Sequence, residues 1–122
     1  MNNFNQEKIK LIIEKGKNEL NNPEILSVIY SLGRDITNEE EYNYAIDILL
    51  FLYNNSTEKI KANIILAFSL IAINYQKLDR EKIEKLIIKE YSIAKDENKE
   101  IISNAIDDIN FALKWDIKEK KV

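Results

Sequence analysis

The side chains able to do chemistry here are carboxylates, amides and aromatics, because the 122 residues include no cysteine and no histidine. Histidine is the commonest general base and metal ligand near neutral pH, and without cysteine there is neither a thiolate nucleophile nor a disulfide framework. The acids fall in groups: Glu39-Glu40-Glu41 with Asp47, then Asp79, Glu81 and Glu84, then Asp107, Asp108 and Asp116. One more, Glu90, interrupts the apolar stripe Ile83, Leu86, Ile87, Tyr91 and Ala94. An ionised carboxylate in such a stripe needs a donor, a cation or water, and Arg34, Arg80 or a lysine would serve. Catalysis would need a second positioned group, and the spacing supplies none. A ferritin-like di-metal site requires Glu-x-x-His, and a phosphate loop requires clustered glycines, whereas Gly16 and Gly33 stand alone. The residue types therefore predict no catalytic residues, no metal site and no cofactor, and the chain is expected not to be an enzyme.

Recognition chemistry remains. Phe111 and Trp115 are four residues apart on a predicted helix and point away from its core stripe, with Asn104 and Asp108 on the same face and Asp107 at its border. An exposed aromatic pair beside carboxylates suits a protein-binding hot spot, since tryptophan joins a large apolar area to a hydrogen-bond donor. Glu40 and Asp47 offer a second acidic contact for a basic partner, although acids in a first turn also suit the helix dipole. The net charge of −3 disfavours nucleic acid, whose phosphate backbone is bound by basic surfaces. The amides of Asn63 and Asn104 border apolar stripes and are placed to link neighbouring helices.

These residues need rigid elements to position them. Two glycines and one proline leave few turn signals, so the chain reads as helices with short links. The stretch from Thr57 to Tyr75 is central: from Ile64 to Ile73 only Ser69 is not apolar. A helix apolar all round is buried on several sides, and a run of ten residues, nine of them apolar, is too short to span a bilayer. Around it, periodicity predicts helices over 5–20 (core face Ile9, Ile12, Ile13, Gly16, Leu20), 23–33 (opened by Asn22-Pro23, ended near Gly33), 37–53 (capped by Thr37 with Glu40 three residues on), 79–94 (capped by Asp79) and 96–115 (capped by Asp96; core face Ile102, Ala105, Ile106, Ile109, Leu113). The outer helices are one-sided and the inner ones more broadly apolar, as in a row of helix pairs rather than a ring. One domain is expected over 1–117, followed by a charged tail, 118–122. With no signal-peptide pattern and no membrane span, the chain is expected in the cytoplasm.

Segments recur along the chain. Glu58-Lys59-Ile60-Lys61-Ala62-Asn63-Ile64-Ile65 parallels Lys99-Glu100-Ile101-Ile102-Ser103-Asn104-Ala105-Ile106, and Val28, Leu32 and Gly33 align with Ile64, Phe68 and Ser69. The segment Asn22–Gly33 (NPEILSVIYSLG) resembles the second helix of a HEAT repeat, a polar turn leading to an apolar helix that ends in Leu-Gly. The later copies depart from that ending, with Phe68-Ser69 and Ile109-Asn110. The resemblance covers about residues 5 to 115 and implies an all-α fold: a short right-handed superhelix of three stacked hairpins. Asn, Ile and Lys supply 53 of the 122 residues, a bias associated with AT-rich bacterial genomes. Small acidic HEAT-like proteins of such genomes resemble immunity proteins, which implies a partner that is a basic toxin domain and a mechanism of active-site occlusion. The alternative is a general scaffold or adaptor for a protein or peptide.

Overall fold

Pro23 opens the first described helix, where its fixed φ and missing N–H are both tolerated. The computed structural model describes residues 23–54 and 56–118, with side chains from Ile25 onward. The helix predicted over 5–20, the Asn22 cap and the last four residues of the tail lie outside the described residues. Five helices follow in order: α1 (Pro23–Arg34), α2 (Glu39–Asn54), α3 (Glu58–Asn74), α4 (Arg80–Ile93) and α5 (Asp96–Leu113). The fold is all-α, with no strand among the described residues.

The helix ends follow local chemistry that the sequence expectations miss by a residue or two. At α2 the cap is Asn38, not Thr37: its Oδ1 accepts from the Glu41 N–H at 2.9 Å. Glu41, buried at 7% exposure, reaches back to accept from the Thr37 N–H and hydroxyl, both at 2.8 Å. Glu41 rather than Glu40 thus makes the return bond, and it makes it to Thr37, the residue before the cap, rather than to the cap itself as in a capping box. At α4 Asp79 is the cap, accepting from the Lys82 N–H. At α5 the cap position belongs to Lys95, and Asp96 begins the helix with φ of 53°. Gly33 does not end α1; it lies within it, and a Cβ there would come within 2.7 Å of the Ala67 carbonyl oxygen. Its missing side chain serves close helix approach rather than a left-handed cap. The left-handed positions go instead to Gln76, after α3, and Lys114, after α5, with φ of 58° and 60°.

α3 is the centre. Ten of its residues are buried, among them Ile60, Ile64, Ile65, Phe68 and Ile71. Its buried Ser69 hydroxyl is satisfied by donating to the Leu66 carbonyl at 2.6 Å. α3 packs most extensively on α5, next on α1, and more lightly on α2 and α4, while no backbone approach within 8 Å joins α1 to α5. α1 and α3 run parallel, because Tyr30 meets Asn63 and, a turn later, Gly33 meets Ala67. The first turns of α1, α3 and α5 meet around an open depression of about 620 Å³ lined by Leu26, Thr57, Glu58, Lys59, Ile60 and Asn98. α2 packs on α1 and α3, α4 packs on α3 and α5, and the C-terminal turns of α2 and α4 meet at Tyr53 and Glu90.

Candidate protein-binding face

α5 buries Ile102, Ala105, Ile106 and Ile109 against α3 and α4. At 3.6 residues per turn that burial turns Glu100, Asn104, Asp107, Asp108 and Phe111 to the opposite side, and all five are exposed. Phe111 is the extreme case, with 85% of its surface accessible. Neither Asp107 nor Asp108 is ion-paired with a described residue. The face is thus an apolar ring beside carboxylates that no described residue neutralises. Glu100 extends it by one turn and was missed in the sequence, although its spacing of four from Asn104 marks it.

Trp115 does not share this face, correcting the expectation that the helix runs to it. α5 ends at Leu113, and Lys114 in the left-handed region turns the chain. The Asn110 amide then clamps the returning segment, donating to the Ile117 carbonyl at 3.1 Å and accepting from the Ile117 N–H at 3.0 Å. Ile117 enters the core at 5% exposure. Trp115 is left half-buried, with the Arg80 guanidinium 5.2 Å from its ring centroid. Arg80 also pairs with Glu84 at 2.6 Å and with Asp116. The bond from Arg80 holds the Asp116 carboxyl below its ordinary 3.8, and the same carboxylates, Glu84 first, raise the guanidinium.

Glu40 and Asp47 are exposed on α2. No backbone approach within 8 Å joins α2 to α5, so these acids form a separate patch. Their neighbour Glu39 is engaged by Lys77 at 2.7 Å. Lys77 also lies 4.7 Å from the Tyr42 ring centroid, and Tyr42 stacks on Tyr75 at 5.6 Å. Burial pushes the Tyr42 phenol up, against the opposing pull of the Asp79 backbone and of Lys77.

The two asparagines part company. Asn63 is buried, accepts from the Tyr30 hydroxyl at 2.7 Å and donates to the Lys59 carbonyl at 2.9 Å, tying α1 to α3. Asn104 faces outward. Glu90 is 2% exposed, and its described partner is none of the cations expected from the sequence but the Tyr53 hydroxyl on α2. Burial, then the bond to Glu90, raises the Tyr53 phenol far above its usual range. Among the described residues no group of three potential ligands is placed to hold a metal ion, and no helix is long and apolar enough to cross a membrane.

Comparison with protein-family models, with curated proteins and with solved structures returns no match. The functional reading therefore rests on the molecule's own surface.

Proposed function

We propose that this chain is a protein-binding module that docks a cationic partner on the outer face of α5. The observation that carries this is Phe111, 85% accessible beside Asp107 and Asp108. Burying an exposed phenylalanine in a partner removes apolar area from water, aromatic side chains are common anchors of such interfaces, and acids with no ion pair among the described residues favour a basic surface around it. The scaffold reading is a short right-handed stack of helical hairpins. What supports it is the parallel set α1, α3 and α5 with α3 between the other two. A second support is a recurring seam: Lys61 lies over Tyr53 at 5.0 Å, and Lys99 lies over Tyr91 at 4.7 Å. Each pair is separated by eight residues, and the shift of 38 that superposes them replaces the register read from the sequence, which set Glu58 on Lys99, and carries buried Ile64, Ala67, Phe68 and Ile71 onto buried Ile102, Ala105, Ile106 and Ile109.

In its most specific form the module is an immunity protein. Its partner is then a basic toxin domain whose active site it covers. The test is inhibition of a toxin domain encoded beside this chain. Wild-type protein should suppress that toxin at one-to-one mixing, and Phe111→Ala should raise Kd about 30-fold, the loss of about 2 kcal/mol typical of a hot spot. Asp108→Lys should weaken binding as well. Tight binding without suppression would make the module an adaptor. Unchanged affinity in both variants would remove α5 as the docking face.

A further inference from the structure

α4 is the least anchored of the described helices. Three of its fourteen residues are buried, Ile83, Ile87 and Glu90, so one of its three buried anchors is a carboxylate. Its contact with α3 is slight beside that of α5, and its backbone makes no approach within 8 Å to α2. The gap to α2 is bridged by the hydrogen bond from the Tyr53 hydroxyl to Glu90 Oε1. A buried carboxylate is a poor source of net stability, because its desolvation offsets much of what its bond contributes. Its bond is also strongly conditional: once the donor leaves, the acceptor has water as its better neighbour. Titratable and charged groups around the pair are few. Tyr53 faces Glu90 from α2, and Lys61 of α3 lies over the Tyr53 ring at 5.0 Å. At the far end of α4, Arg80 is tied to Glu84 and to Asp116 beyond α5.

From this arrangement we infer that α4 opens as a unit while α1, α3 and α5 stay packed, with the Tyr53–Glu90 hydrogen bond as the latch that holds it closed. Cooperative segments with few buried apolar contacts open well below the free energy of global unfolding, and α4 meets that description where α3 does not. Opening swings Glu90 into water and bares the apolar faces that Ile83 and Ile87 cover. The hinges are short: 75–79 before α4, where Gln76 is already left-handed, and 94–95 after it, followed by left-handed Asp96. The device is separate from the outer face of α5 and does not depend on it.

The test is native-state amide hydrogen exchange on the full chain. In Tyr53→Phe, exchange over residues 80–93 should rise at least tenfold, with less than a twofold change at the buried amides of 58–74 and 96–113. The double variant Tyr53→Phe/Glu90→Leu replaces the latch by apolar packing and should slow the α4 amides to the wild-type rate or below. If Tyr53→Phe fails to fold, the same measurement on Glu90→Ala decides, since alanine removes the acceptor of the Tyr53 hydroxyl and should again raise exchange over residues 80–93 at least tenfold. Unchanged exchange in α4 would overturn the latch. So would a uniform rise across α1, α3, α4 and α5, which would make the pair part of global stability only.

Discussion

Gly33 shows how much one hydrogen can decide. On propensity alone, Gly33→Ala within α1 should stabilise by up to about 1 kcal/mol. The added Cβ, however, would come within 2.7 Å of the Ala67 carbonyl oxygen and 3.0 Å of its Cα. Those are backbone atoms of α3, which cannot swing aside, and such overpacking costs about 1–3 kcal/mol. The clash wins, so Gly33→Ala should lower the urea midpoint; a raised midpoint would mean that α1 slides over α3 without penalty. Asn63 illustrates the opposite case, a polar side chain that belongs in the core because both ends of its amide are satisfied. Removing Tyr30's hydroxyl leaves its carbonyl oxygen unsatisfied, which is why buried amides of this kind are costly to disturb one partner at a time.

The elements end where side chains or rare backbone angles stop them, and both kinds of stop can be probed. Lys114 closes α5 with φ of 60°, a conformation that costs a residue bearing a Cβ about 1–2 kcal/mol. Lys114→Gly should therefore raise the thermal midpoint, and by more than Lys95→Gly at the extended cap position. The segment after that turn is held by the Arg80–Asp116 pair and the Asn110 clamp. The Asp116 carboxyl is held below 3.8 by Arg80. A depressed folded value means that the pair's contribution is present above the unfolded value and is lost as pH falls through the folded one. Because Trp115 is the single tryptophan and lies under Arg80, its fluorescence should report this release. Acidification below 3.8 should shift the emission before the far-ultraviolet helical signal changes, and Asp116→Asn should show the shifted emission already at neutral pH. Coincident transitions in the two signals would place the tail's release within global unfolding.

At the scale of the molecule, stability is concentrated in α3. Ile64 is fully buried in a helix flanked by α1 and α5, so the cavity left by Ile64→Ala cannot be filled by collapse from a free side. That substitution should cost about 3–5 kcal/mol, near the top of the usual range for such truncations, and chemical denaturation should show it. Phe111→Ala should leave the denaturation midpoint within about 0.5 kcal/mol of wild type, as befits an exposed position. The contrast separates the residue that holds the protein together from the one proposed to hold its partner.

Much of this organisation was legible along the chain. The core stripes of α3 and α5, the exposure of Asp107, Asp108 and Phe111, and the position of Glu90 within an apolar stripe follow from periodicity; the burial of Glu90 and the outward turn of Asn104, expected as a helix link, do not. A helix displays its faces at a fixed 3.6 residues per turn whatever it packs against. The residues were misplaced where a rule of position met a competitor. Periodicity carries the last helix on to Trp115, although Lys114 ends it, because no glycine marks the stop. Gly33 was read as a stop because its use, contact with Ala67 across 34 positions, leaves no trace nearby. Tyr53 could not be chosen as Glu90's partner over Arg34 or Arg80, since 37 residues separate the two and no local spacing encodes which helices become neighbours. Periodicity along the chain sets the core-facing stripes of the described helices. Only the tertiary structure decided which helix lies beside which, because pairing is set by how side chains of distant segments fit together rather than by the period along any one of them.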